Sequence, residues 1–148
     1  MRIPKQVLVI PYRIKDNIVE YCIFKRSDLD IWQWIAGGAE DFDKDILETA
    51  KRELGEETGI NDVEIEQLEL VTQIPVVNIV KDFMWGKDTF YANEYSFCVD
   101  IGDRQISLSD EHKEFEWLNY EEARKLLRYD SNKNALWELN EKIKRKLM

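Results

Sequence analysis

Three glutamates in the stretch Gly37 to Ile60 (GGAEDFDKDILETAKRELGEETGI) are the residues whose spacing could do chemistry. Glu53, Glu56 and Glu57 fall at i, i+3 and i+4. On a helix that spacing sets three carboxylates along one side, flanking the buried stripe. Like charges so placed repel by about 0.2–0.5 kcal/mol per exposed pair. They also fall in the last two turns, where the helix dipole is already negative. Both terms disfavour the helix by itself, and a bound divalent cation would reverse both. Hard oxygen donors of this kind suit Mg²⁺ or Mn²⁺. Such ions bridge phosphate oxygens, neutralise developing charge and activate an attacking water. The chain has one His, so a carboxylate is the expected general base. Glu-rich helices are also common as plain solvated faces, with Lys51 and Arg52 available to balance the charge. The glutamates alone leave both roles open.

The elements that must position these side chains can be read from the surrounding sequence. Residues 45 to 58 have helical character. Asp45 is a candidate N-cap, and Glu48 three residues on completes a capping-box pattern. Leu47, Ala50 and Leu54 form the buried stripe, and Gly59 is placed to end the helix as its C′ residue. Gln6 to Tyr12 reads as a buried strand. Ile18 to Lys25 is the next strand, across a turn at Lys15-Asp16-Asn17. Ile31 to Ile35 is short, aromatic and ends at Gly37-Gly38. Val63 to Val77 and Tyr91 to Ile101 read as longer strands, with an irregular loop from Asn78 to Thr89 between them. Phe115 to Leu118 is a short strand, and Tyr120 to Arg128 and Asn134 to Leu147 are helical. This order of elements predicts an α/β (α+β) fold with a mixed sheet.

The chain has 148 residues, 44% of them hydrophobic, which fits one domain over 1–148 with a substantial core. No repeat or linker marks a boundary. A net charge of −9 argues against general nucleic-acid binding, which needs a basic face. It leaves room for a phosphate substrate, because a bound cation can reverse the local field. Cys22 and Cys98 sit in apolar runs and read as reduced core thiols. No signal peptide or 18-residue apolar stretch is evident, so the expectation is a cytoplasmic protein that does not span a membrane.

The wider spacing narrows the reading. Gly38, Arg52-Glu53-Leu54, Glu56-Glu57 and Gly59-Ile60 resemble the Nudix box, G-x5-E-x7-R-E-U-x-E-E-x-G-U with U aliphatic. Eight of its nine specified positions match. The departure is Lys44, where the family has a Glu that orders the loop, often by pairing with the box Arg. Asp43, Asp45 and Glu48 are the candidates to take over that pairing with Arg52. The resemblance implies a mixed sheet sandwiched between helices and hydrolysis of a diphosphate linkage by metal-activated water. It implies Glu53, Glu56 and Glu57 as metal ligands, Arg52 as their orienting partner, and Glu53 or a distal Glu as base. Beyond the box, Phe24-Lys25-Arg26-Ser27-Asp28, Ile31-Trp32-Gln33-Trp34, Glu94-Tyr95-Ser96-Phe97-Cys98, Arg104-Gln105-Ile106, Glu111-His112, Trp117-Leu118 and Ser131-Asn132-Lys133-Asn134-Ala135 are similar to bacterial dihydroneopterin triphosphate pyrophosphatases, which also act on dATP. That likeness implies Glu111 as the distal acid completing the metal site. It also implies a small nucleotide-like substrate, and homodimers are common among such enzymes. The box itself does not separate this substrate from ADP-ribose, a dinucleoside polyphosphate or a nucleotide sugar. Lys44 keeps open a weakly catalytic nucleotide-sensing domain.

Four further residues have two roles open. Trp32 and Trp34 alternate onto one side of a strand and could pack in the core or stack on a flat ring, with one of the two expected to face ligand. Arg26 could hold a phosphate or be a strand-end charge. His112 reads as a structural or surface His. The 78–89 loop, with Phe83, Met84 and Trp85, is long enough to cover a substrate or form a contact between subunits.

Overall fold

A computed structural model describes residues 1–147. The chain forms β1 (Arg2–Lys15), β2 (Ile18–Arg26), β3 (Trp32–Gln33), β4 (Ile35–Glu40), α1 (Ile46–Thr58), β5 (Glu66–Pro75), β6 (Tyr91–Asp100), β7 (His112–Leu118), α2 (Tyr120–Leu126) and α3 (Asp130–Leu147). The fold is the mixed α+β sandwich expected from the order of elements.

β1 organises the sheet. It pairs in parallel with β6 along Lys5 to Tyr12, while its other edge is shared by β4 near its start and β2 near its end, both antiparallel. β5 runs antiparallel to β6, and β3 and β7 pair with β2. Asp16 and Asn17 both have positive φ, the signature of a two-residue I′ hairpin, and they set the β1–β2 register.

Strand alternation divides the apolar residues between two cores. Val7, Val9, Cys22, Phe24, Phe97 and Val99 face one side, where Ala50 and Leu54 of α1 close the layer. Leu8, Ile10, Tyr21, Ile23 and Cys98 face the other, covered by Ala123, Leu127, Leu136 and Leu139 of α2 and α3. The two thiols are free and buried, and they lie in opposite cores, as core packing requires. No helix among the described residues is long and apolar enough to cross a membrane.

The structure departs from the sequence reading at the bounds of several elements. β4 runs straight through Gly37-Gly38, with Gln6 opposite Gly38 and Val7 opposite Gly37, although glycine normally marks a strand's end. β7 starts three residues before Phe115, and α3 starts four before Asn134. β5 ends at Pro75, where a short 3₁₀ turn (Val76–Asn78) begins. The rest of the long loop is tied to β1 by Trp85, whose Nε1 donates to the Arg2 carbonyl at 2.9 Å, while Phe83 stays 79% exposed.

Candidate active site

α1 is built to end at the acids. Asp45 takes an extended backbone and accepts from the Glu48 N–H at 2.9 Å, capping the helix start. The expected capping box is shifted by one residue: Glu48 reaches back to the Lys44 N–H at 2.9 Å rather than to that of Asp45. At the other end Gly59 adopts φ 77 and its N–H closes on Gly55 O, a conformation that glycine takes without a Cβ penalty. The last turn carries no basic residue, so Glu56 is offset by Arg52 one turn earlier and Glu57 by groups off the helix.

Arg52 is the first fixed point. Its Nη2 and Nε reach Asp43 at 2.9 and 3.3 Å, and Nη2 also donates to Gly38 O at 3.1 Å. Nη1 bridges Glu53 at 3.0 Å and Glu56 at 3.5 Å. Of the three candidates to replace the missing box Glu, Asp43 takes the role. Its carboxylate also receives the Glu40 N–H and the Thr49 hydroxyl. The Arg52 guanidinium, chiefly, holds the Asp43 carboxyl down to about 2. Lys44 itself is exposed.

Glu53 is 7% exposed, and its carboxyl lies against Gly37, where a Cβ would stand 2.0 Å from Cδ. That contact explains the glycine in mid-strand. Burial, then the charge of Glu56, pushes the Glu53 carboxyl up to about 7, with Glu111 and Glu57 adding to the rise and Arg52 opposing it. Glu57 is buried and accepts from Ser109 Oγ at 2.6 Å and from the His112 ring at 2.7 Å. Burial works against its charge, but bonds from His112 and Ser109, and one from Glu111, outweigh it and hold Glu57 below the ordinary carboxylate range. Glu111 moves the other way, raised by its own burial and by the bond to and charge of Glu57. The fold therefore brings Glu111 beside Glu57, across 54 positions of sequence. His112 is buried with its Nε2 unpartnered, which makes it a partner of Glu57 and not a surface group.

A cleft of about 1530 Å³ opens over this cluster. Glu53, Glu56, Glu111 and Arg26 line it, along with Arg2, Gln6, Glu94 and the start of α3. Arg26 is bound to Asp28 by two contacts of 2.6 and 2.9 Å and stands at the cleft's edge. The two tryptophans correct the expectation that one would face ligand. Trp34 is fully buried in the α3-side core, its Nε1 donating to Asn132 O and its backbone N–H to Asn132 Oδ1, both at 2.9 Å. Trp32 is half-buried against the same core, with the Lys25 ammonium 5.7 Å from its ring centre. Alternation does place both on one side, but that side is the core, and Gln33 between them lines the cleft.

Ser109, Arg2 and Glu94 were not singled out by sequence reasoning as site residues. Arg2 is partly signalled by Gly38, where a Cβ would sit 2.2 Å from its Nε. The donor set at Glu53, Glu56, Glu57 and Glu111 is all hard oxygen, suited to a divalent cation. The upward shifts of Glu53 and Glu111 come first from burial and then from neighbouring carboxylates, and a bound cation would offset both. Among the described residues no three such side chains yet converge on one point, because Arg52 bridges Glu53 and Glu56 and Glu57 is turned to Ser109 and His112.

Known proteins match this arrangement. The family model described as NUDIX domain matches residues 4–138. A Nudix hydrolase structure from Listeria monocytogenes is 39% identical, with a TM-score of 0.86 over 97% of each chain. The dihydroneopterin triphosphate pyrophosphohydrolase of E. coli is 23% identical, with a TM-score of 0.74 over 94% of this chain and 97% of that one. A C. elegans Ap4A hydrolase is 18% identical, with a TM-score of 0.76 over 95% and 98%. At these last two identities the likeness is one of fold. Enzymes of this family generally use a divalent metal, typically Mg²⁺. With the box helix, its glycine strand and the family match agreeing over most of the chain, this protein belongs to the Nudix family and is a hydrolase of pyrophosphate bonds.

Proposed function

We propose that the chain is a Mg²⁺-dependent pyrophosphohydrolase of a nucleoside triphosphate-like substrate, of the dATP or dihydroneopterin triphosphate type. Glu53, Glu56 and Glu57 would hold the metal, with Mn²⁺ as an alternative ion, and Glu111 would complete the site. The observation that carries this reading is the gathering of four carboxylates: Glu53, Glu56 and Glu111 line one cleft, and Glu57, held by Ser109 and His112, lies beside Glu111. When bound, the metal would neutralise charge on the phosphate oxygens and supply an activated water. Arg52, anchored on Asp43, sets the direction of Glu53 and Glu56. Glu53, pushed up to about 7, suits a group that takes up a proton near neutrality, and Glu111 is raised in the same direction. Arg26 and Arg2 stand where phosphate oxygens not bound to metal would be met.

Glu57→Gln and Glu56→Gln, assayed with Mg²⁺ and dATP, test the assignment. Each should lower turnover by at least about a hundredfold, and unchanged pyrophosphate release from both would refute it. Lys44→Glu tests the rival reading of a weakly catalytic nucleotide-binding domain. The Asp43–Arg52 pair supports an enzyme that compensates locally, so turnover should change little, whereas a large gain would favour the rival. A panel including ADP-ribose, a dinucleoside polyphosphate and a nucleotide sugar decides among substrates.

A further inference from the structure

In the same cleft, Glu94 of β6 stands opposite Gln6 of β1. It is 4% exposed, far more buried than a carboxylate normally is. Its Oε2 accepts from Gln6 Nε2 at 2.6 Å, but its Oε1 has no partner. Two residues along the same strand face, the Ser96 hydroxyl is also buried and unpartnered. Asn132 is engaged elsewhere, its Oδ1 taking the Trp34 N–H and its Nδ2 giving to Ser131 Oγ; the Ser131 hydroxyl is near enough to favour the ionised carboxyl but leaves Oε1 without a hydrogen-bond partner. This wall therefore holds an acceptor in want of a donor. A buried acceptor left unmatched is costly, and such groups in native proteins commonly mark a ligand. Tyr129, 42% exposed, lines the same cleft and offers an aromatic face to a flat ring.

We infer that Glu94 reads the heterocycle of the substrate and selects a ring whose edge carries a cyclic amide N–H beside an amino group, the edge shared by guanine and pterins. An ionised carboxylate accepts only, so two adjacent donors satisfy it, and the edge of adenine, which sets a ring-nitrogen acceptor beside its amino group, does not. Burial raises the Glu94 carboxyl above its ordinary value, more than Gln6 and Ser131 lower it. Two N–H donors would offset that burial. The inference rests on the reading of the cleft as a nucleotide site and, of the two substrate types proposed for it, favours the pterin one over dATP.

Isothermal titration calorimetry of the intact protein with GMP, IMP and AMP, without added divalent cation, tests it. IMP differs from GMP in lacking the amino group. A site built on that group should bind GMP at least about tenfold more tightly than IMP or AMP, and Glu94→Gln should reduce the advantage to about threefold or less. Equal binding of GMP and IMP, no measurable binding of GMP at millimolar concentration, or a GMP preference that survives in Glu94→Gln overturns the inference. A preference for AMP overturns it in favour of a protonated Glu94 reading adenine. The GMP–IMP comparison uses the native protein, so it stands even if the variant does not fold. Cleavage is scored separately: selection of GMP without hydrolysis of any triphosphate tells against the proposed function alone, and hydrolysis without selection tells against Glu94 alone.

Discussion

At the scale of residues, the site stores electrostatic strain in the carboxyl of Glu53. Its value near 7, against 4.5 for a free side chain, means the folded protein binds a proton there that the unfolded chain releases. Stability from this group is therefore full below about pH 4.5 and is lost as pH rises through about 7. For a group this buried the shift corresponds to roughly 3 kcal/mol at most. Glu53→Gln should abolish the dependence. In metal-free buffer its melting temperature should exceed that of the native protein at pH 8 and fall close to it at pH 5. Equal margins at both pH values would show that Glu53 is not the strained group. The same residues show what was legible in advance. Glu53, Glu56 and Glu57 could be read because one helix carries all three at fixed spacing. Asp43 could be named as a partner of Arg52 because it lies beside the helix in sequence, whereas Ser109 and Glu94 lie on other segments and acquire their roles only when folding brings them to α1 or to the cleft wall.

At the scale of elements, α1 is the part most fully readable from sequence. Cap, stripe and terminating glycine are each decided by residues within a turn of where they act. Asp45→Ala should cost about 1 kcal/mol through loss of the cap, and Gly59→Ala should cost about as much or more, because φ 77 is strained for alanine. Urea unfolding measures both, and a Gly59→Ala protein as stable as the native one would contradict the cap geometry. β4 could not be read, because its two glycines answer to side chains from α1 and from β1 that are distant in sequence. The tryptophans illustrate the same limit. Their alternation was correct, but which face is the core depends on α3, nearly 100 residues later, whose Asn132 takes the Trp34 N–H.

For the whole molecule, the sandwich leaves its charge unbalanced around one opening. A net charge of −9 and a cluster of opposed carboxylates make a divalent cation the ligand that relieves most repulsion. A ligand at a hundred times its dissociation constant stabilises the native state by about 2.7 kcal/mol. For a chain of this size that corresponds to a rise in melting temperature of very roughly 5–10 °C. Mg²⁺ together with a non-hydrolysable triphosphate should produce this rise in the native protein and little of it in Glu57→Gln. An equal rise in both would place the ion elsewhere.

Gly37 and Gly38 are neighbours on one strand, yet the space above each belongs to a different partner, the Glu53 carboxyl in one case and the Arg2 guanidinium in the other. A single methyl group can thus be used as a local wedge. Gly37→Ala should upset proton and metal handling, seen as a weakened response of rate to Mg²⁺ concentration. Gly38→Ala should disturb chiefly the grip of Arg2 on the polyphosphate, seen as a raised KM at saturating metal. Two adjacent positions in the backbone would then report separately on the two halves of one reaction.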